Sequence, residues 1–318
     1  MKFYLAPMEG ITGFIYRNAY KKYFDNIDKY YTPFIIPNKS KSFKTKELRD
    51  ILPENNENIK IVPQILTNDS ELFIFTASKL KELGYKEVNL NLGCPSGTVV
   101  SKGRGSGFLA KREELDRFLD EIYTMEDINI SIKTRIGKDS AEEFFELLKI
   151  YNQYPIEELT IHPRTQKDFY KNEPNLEIFE QALDISKNPI CYNGDIFSKE
   201  AFENIKTRFP NIDKVMLGRG IFANPGLIEE IKNDIVVNKY IVKDFHDEIL
   251  ENYIELLSGD KNVLFKMKEL WAYMIYIFSN NKKYAKSIRK SQKLNDYKSI
   301  VSSLFINEDI VKGESLFK

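Results

Sequence analysis

Short β-branched and aromatic runs alternate with longer amphipathic stretches eight times between Phe3 and Asn233, a rhythm that few folds accommodate. The predicted strand and helix pairs are 3–6 with 14–24, 29–33 with 44–51, 59–66 with 69–83, and 88–91 with 112–125. They continue as 129–134 with 141–151, 159–162 with 176–186, 190–193 with 199–209, and 214–217 with 225–233. A doubly wound open sheet more often has five to seven strands, whereas eight units in about 235 residues match a (β/α)₈ TIM barrel.

After Asn238 the pattern becomes helical without strand signals, with helices expected over 244–257, 263–279, 282–294 and 298–305. The expected organisation is a barrel over residues 1–238 followed by a small all-helical domain over 239–318. With 42% of its 318 residues apolar, the chain can bury a real core. Two cysteines, Cys94 and Cys191, are too few for a disulfide framework, and no C-x-x-C pair or His cluster suggests a metal. A reducing cytoplasmic compartment is the expectation. The opening MKFYLAPMEG lacks an apolar core of signal-peptide length, and 271–278 is too short to span a bilayer, so no membrane partner is expected. Forty-seven basic residues balance 47 acidic ones, so any argument for a polyanionic partner must be local.

Barrels carry their chemistry at the C-terminal ends of the strands. The polar residues expected there are Met8 after Ala6-Pro7, Gln64, the Asn91-Leu92-Gly93-Cys94-Pro95 run, and Lys133-Thr134-Arg135. His162-Pro163-Arg164, Asn193-Gly194-Asp195 and Gly218-Arg219-Gly220 complete the set. Lys133/Arg135 and His162/Arg164 are each two residues apart, so each pair faces one way if strand geometry persists, and together they predict a cationic rim with His162 level with Lys133. Glycines after the last two strands suit close approach of backbone N–H groups to a phosphate, with Arg219 adding charge. Cys191 lies within the apolar Pro189-Ile190-Cys191-Tyr192 run and is expected to pack as a small hydrophobe. Cys94 is flanked by Gly93 and Pro95, which end the strand at the barrel mouth, and is expected to be a site thiol.

In order along the chain, APMEG, N-x-G-C-P, K-x-R, H-x-R, NGDI and GRG resemble the flavin-dependent tRNA-dihydrouridine synthases from about Phe3 to Ile231, and loosely through the tail. The N-x-G-C-P block with the following K-G-x-G-S-G loop, 102–107, is the most diagnostic part. The resemblance implies FMN at the barrel mouth, reduced by NADPH, which reduces the C5=C6 bond of a uridine in folded tRNA. It implies that Pro7, Met8 and Gln64 line the flavin ring, Lys133 faces its N1/O2 edge, and His162 contacts the ring or phosphate region. Asn193, Gly194, Asp195, Gly218 and Arg219 would surround the ribityl phosphate. Hydride would pass from flavin N5 to uracil C6, and Cys94 would protonate C5, a role suited to an ordinary thiol of pKa about 8.5. Nearby Lys133 and Arg135 favour thiolate, whereas stacking and desolvation favour the neutral thiol. Asn91, Arg135 and Tyr170 would hold the uracil, extruded from its stack. Family members usually carry aspartate after the threonine of the first loop; here Gly13 follows Thr12, with Arg17 retained, so a local contact of that loop is in question.

Between Lys261 and Lys298 stand ten basic residues against two acidic ones, Glu269 and Asp296, interleaved with Trp271, Tyr273, Tyr276, Tyr284 and Tyr297. Phosphate neutralisation plus stacking would explain the pattern, with Lys282, Lys283, Lys286, Arg289 and Lys290 as the RNA-facing cluster; the alternative is a solvated helical face with the aromatics in the core, which suits Trp271, Tyr273 and Tyr276. A monomer acting on tRNA is the expectation. Two rival readings are an FMN-dependent reductase of a small pyrimidine or enone, and an RNA-binding protein that has lost catalysis. The first leaves the basic tail without a purpose, and intact Cys94, Lys133 and His162 speak against the second.

Overall fold

A computed structural model describes residues 1–311. Nine parallel strands form one sheet: β1 Lys2–Leu5, β2 Lys29–Tyr31, β3 Ile61–Val62, β4 Gln64–Ile65, β5 Glu87–Leu92, β6 Asn129–Arg135, β7 Leu159–His162, β8 Ile190–Tyr192 and β9 Lys214–Leu217. Their order, β3-β2-β1-β9-β8-β7-β6-β5-β4, begins and ends on neighbouring segments of the chain. The single third strand expected over 59–66 is broken at Pro63, which has no N–H for the ladder. Its first half pairs with β2 through Tyr30 and Tyr31, and its second half pairs with β5 through Asn89 and Leu90. The Pro63 carbonyl accepts from Asn89 N–H at 2.9 Å, and Thr32 Oγ1 accepts from Gln64 N–H at 3.1 Å. β3 and β4 are therefore one stave, and the sheet is an eight-stave barrel.

The helices cover the strands with faces of 3.6-residue period: Arg112–Ile122 buries Leu115, Phe118, Leu119 and Ile122, and Glu143–Tyr151 buries Phe144, Leu147, Leu148 and Tyr151. Asp69 and Asn175 cap the helices Ser70–Glu82 and Leu176–Ile185 by accepting the N–H of Leu72 and Ile178. Inside the barrel Tyr4, Ala6, Tyr31, Val62, Cys191 and Met216 form one cluster. Cys191 packs there fully buried, as its apolar surroundings in the sequence imply, and burial pushes its thiol well up. Near the strand starts, buried Glu158 accepts from the hydroxyls of Tyr4 and Tyr31 at 3.0 and 3.1 Å and faces the ammoniums of Lys214 and Lys29 at 3.7 and 3.9 Å.

The chain forms two compact units: residues 1–7, 29–194 and 209–216, which hold nearly all of the sheet, and residues 8–28, 195–208 and 217 onward. Within the second, the tail helices are Lys239–Leu256, Asp260–Met274, Asn281–Lys290 and Leu294–Asn307, the first beginning five residues earlier than its apolar period suggests because Asn238 caps it. Phe245 meets Tyr16, Tyr20 and Phe24, which joins the tail to the helix Phe14–Tyr23 in that unit. Trp271 Nε1 donates to Tyr297 Oη at 2.7 Å, so the Tyr297 hydroxyl donates to His246 Nε2 at 2.6 Å, and His246 Nδ1 carries the proton offered to Asp247 at 2.8 Å. Trp271 is thus a core residue, the alternative weighed for it, and Tyr284 and Tyr297 are core residues as well, a correction to the stacking role expected of those two. Tyr273 is half-buried, while Tyr276 and Phe265 are exposed.

Candidate active site

Asn89 and Asn91, two residues apart on β5, point to the same face of the sheet and begin a one-way chain of hydrogen bonds. The Oδ1 of Asn91 accepts the N–H groups of Gly93 and Cys94 at 3.0 and 2.9 Å, and its Nδ2 donates to Gln64 Oε1 at 2.7 Å. Gln64 Nε2 donates to Asn89 Oδ1 at 2.7 Å, and Asn89 Nδ2 donates to Ser131 Oγ at 2.9 Å. All four side chains are buried, so each amide is held in one orientation by its neighbours. The turn bearing Cys94 is consequently pinned to three strands, with the cysteine itself half-buried.

From the other side the loop after β5 grips the same residue. Ser106 donates to the Cys94 carbonyl from its N–H at 3.1 Å and from its Oγ at 2.8 Å. Gly105 has φ 54°, and a Cβ there would stand 2.8 Å from the Cys94 oxygen, so only glycine permits this approach. The loop folds as a short helix, Gly97–Val100, and a 3₁₀ segment, Gly105–Ala110, neither of which periodicity reveals because both are too short. Ser106 and Asn89 are the positioning residues that motif reading passed over; Asn89 shares the spacing of Asn91, and Ser106 lies within K-G-x-G-S-G.

Lys133 stands beside Asn91 in register. Its ammonium has no acceptor among the described residues, and burial, reinforced by the Arg135 guanidinium, lowers its pKa to about 8. His162 is level with Arg135 rather than with Lys133, whose partner on β7 is Thr160. The cationic rim is also corrected: Arg135 and Arg164 are both 1% exposed, because their guanidiniums turn inward to backbone carbonyls that would otherwise be unsatisfied. Arg135 donates to Gly93, Thr165 and Phe169 carbonyls at 3.0, 2.7 and 2.7 Å, with the exposed Tyr170 ring 5.3 Å from its centre. Arg164 donates to the Asn172 carbonyl at 2.6 Å and meets His162 Nε2 at 3.0 Å. Arginine only donates, so His162 Nε2 accepts and its Nδ1 carries the proton. The His162 and Tyr170 rings lie 6.0 Å apart. Asn193 donates to the Met216 carbonyl at 2.8 Å, tying β8 to β9, and Gly194 follows at the strand end.

In the second unit, Met8 opens a loop in which its N–H donates to Thr12 Oγ1 at 2.8 Å, and buried Arg17 donates to the Thr12 carbonyl at 2.6 Å, so the loop closes without the family's aspartate. Asp195 pairs with Arg219 at 2.5 Å. Gly218 leads into the helix Arg219–Ala223, which approaches the Ile196 carbonyl so closely that a Cβ on Gly220 would lie 2.0 Å from it. Lys282, Lys283, Lys286, Arg289 and Lys290 are all exposed on the helix Asn281–Lys290, opposite its buried Tyr284 and Ile288. Two other cations of the basic stretch are occupied within the unit: Lys266 donates to the Gly10 carbonyl at 2.9 Å, and Lys268 to that of Ser291 at 2.5 Å. Among the described residues no helix is long and apolar enough to cross a membrane.

A family model described as dihydrouridine synthase matches residues 4–309. A probable tRNA-dihydrouridine synthase of Staphylococcus aureus strain Mu50 is 30% identical over 237 residues, which cover 72% of this chain and 70% of that protein. Another, of Helicobacter pylori strain J99, is 26% identical over 98% of this chain and 94% of its own. Among solved structures, morphinone reductase in complex with tetrahydroNAD is similar with a TM-score of 0.52 at 14% identity, covering 74% of this chain and 88% of that one. A 2-naphthoyl-CoA reductase complex is similar with a TM-score of 0.56 at 12% identity, covering 72% and 49%. These two share the fold.

Proposed function

The chain belongs to the dihydrouridine synthase family, and from that premise we propose that it reduces the C5=C6 bond of a specific uridine in tRNA with FMN and NADPH. The observation that carries the reading is the half-buried Cys94, held by Asn91 and Ser106 next to a strand that presents a lysine with no acceptor among the described residues. Lys133 fits a flavin because a desolvated ammonium without an acidic neighbour gains most from an anionic partner such as the N1/O2 edge. Pro7, Met8 and Gln64 line the ring in this reading, His162 contacts it or the phosphate region, and Asn193, Gly194, Asp195, Gly218 and Arg219 serve the ribityl phosphate.

Bound FMN, replenished by NADPH, supplies the hydride that reaches uracil C6. Negative charge then develops toward C5 and the C4 carbonyl of the base. Cys94 gives its Sγ proton to C5: the S–H bond breaks as the C–H bond forms, and the thiolate regains a proton from water. Asn91 and Arg135 serve the uracil mainly by holding groups that touch it, Asn91 by fixing the Cys94 backbone and Arg135 by fixing the loop that carries Tyr170. The segment 239–318 acts as the RNA-binding domain, with the exposed cluster from Lys282 to Lys290 on the phosphates. The enzyme works as a cytoplasmic monomer.

The test is a position-resolved mass map of tRNA after incubation with the enzyme, FMN and NADPH. A two-hydrogen increment at one uridine is expected, lost in Cys94→Ala while FMN binding and NADPH oxidation persist. No increment on any tRNA, with reduction of a free pyrimidine or enone instead, would replace this reading by the small-molecule one.

A further inference from the structure

We propose that the turn spanning residues 38–46 is a second RNA contact of this protein, on the barrel end that carries Cys94; the inference rests on the tRNA reading above. The stretch reads N-K-S-K-S-F-K-T-K, with lysines at 39, 41, 44 and 46 and no acidic residue, in a chain whose net charge is zero. The segment leaves β2, which runs parallel to β3, and climbs the third stave. Thr32 N–H donates to Val62, Ile35 N–H to Gln64 and Leu66 N–H to Ile35, at 3.1, 2.7 and 2.9 Å. It therefore emerges at the strand ends, where Gln64 meets Asn91 and Asn91 holds Cys94.

The turn is built so that its polar groups satisfy one another and its cations face outward. Asn38 Nδ2 donates to the Ser42 carbonyl at 2.8 Å, Asn38 Oδ1 accepts from Ser40 Oγ at 2.5 Å, and Lys41 N–H donates to the Asn38 carbonyl at 3.0 Å. Lys41 adopts φ 54°, a left-handed conformation that this web of bonds stabilises. All four lysines are exposed. The ammonium of Lys41 lies 5.1 Å from the Phe75 ring, which fixes the turn to the helix Ser70–Glu82. Lys39 has no acceptor among the described residues. Glu47, the first acid along the chain after the turn, is turned back on the backbone: it accepts from Ile36 N–H at 3.2 Å and from Lys44 N–H at 2.9 Å, and lies 3.7 Å from Lys44 Nζ. An ordered turn that presents Lys39 and Lys41 on the reacting end suits a polyanion already brought there by the reaction, so its contacts are the phosphates flanking the target uridine.

The experiment measures binding of an unmodified tRNA transcript to the FMN-loaded protein from 50 to 300 mM salt, with KM and kcat for uridine reduction. For Lys39→Gln/Lys41→Gln, loss of two phosphate contacts is expected to reduce the slope of log K against log salt by about 1.4 and to raise KM for tRNA roughly tenfold. The kcat at saturating tRNA and NADPH oxidation stay unchanged. Lys39→Gln alone, which leaves Lys41 on Phe75, gives about half the slope change and guards against disruption of the turn. A parent that binds tRNA, with variants of identical slope and KM, overturns the inference alone. A parent that binds no tRNA overturns the functional reading and the inference with it.

Discussion

The side-chain oxygen of Asn91 accepts the backbone N–H of Cys94 at 2.9 Å, while the amide nitrogen of the same residue donates to Gln64. One carboxamide therefore fixes both the end of β5 and the backbone of the residue that bears the thiol. Asn91→Ala is expected to keep bound FMN and NADPH oxidation but to slow uridine reduction by roughly 10²-fold, the effect of moving a reacting group by about 1 Å. Single-turnover measurements check this, and parent-like reduction would sever the link between the amide and the thiol.

Gly105 and Gly103 both have positive φ, but a Cβ would be 2.8 Å from the Cys94 carbonyl at the first and no nearer than 3.4 Å to anything at the second. Gly105→Ala should lose about 1–3 kcal/mol of stability and most of the uridine reduction. Gly103→Ala bears the backbone strain without the clash, so it should retain the larger share of activity. Thermal melts and product assays on the pair separate the two effects.

The pKa of Lys133, lowered to about 8, ties anion binding to pH. Its ammonium is charged below that value, and an anionic partner favours the charged form. Affinity for reduced FMN, which is anionic at N1/O2, should hold at lower pH and weaken as pH rises through 8. Anaerobic titration with reduced FMN from pH 6.5 to 9.5 measures this, and Lys133→Met should bind it more weakly and lose the dependence on that group.

His246 is buried, and burial holds its pKa below the usual value. An unfolded histidine takes up a proton near pH 6.5, whereas the folded one resists it. Stability should therefore be undiminished above about pH 6.5 and fall as pH drops below it, because the unfolded state binds the extra proton. Calorimetry of the parent and His246→Gln between pH 5 and 7.5 should give a shallower acid limb for the variant.

Glu158→Ala removes the carboxylate that faces Lys214 and Lys29 and accepts two tyrosine hydroxyls. A loss of about 1–3 kcal/mol is expected, since two buried tyrosine hydroxyls lose their acceptor while Lys29 keeps Glu87 at 2.9 Å. The folded fraction should bind FMN normally, because Glu158 precedes β7, whereas His162 ends that strand and Cys94 follows β5. Denaturant melts and flavin content, read together, test both halves of the statement.

The pattern of the chain was sufficient for the eight strand and helix units, since side-chain period reports directly which face an element buries. β7 and β9 match their expected limits residue for residue, and the polar residues at the strand ends read as a set because barrel strands all run one way. What periodicity missed was short or broken: the third stave interrupted at Pro63, the Gly97–Val100 turn and the Arg219–Ala223 helix span too few residues for a period to develop.

Residue order thus determined the barrel, the helical tail and the candidacy of Cys94, Lys133 and His162. Tertiary structure alone decided what each polar group faces: that Arg135 and Arg164 turn inward to carbonyls, that His162 is level with Arg135, that Trp271 and Tyr297 serve the tail core, and that Lys39 and Lys41 stand out from an ordered turn. The reason is physical: burial patterns are local and repeat along the chain, whereas strand register and hydrogen-bond partners bring together residues tens of positions apart, which no local period encodes.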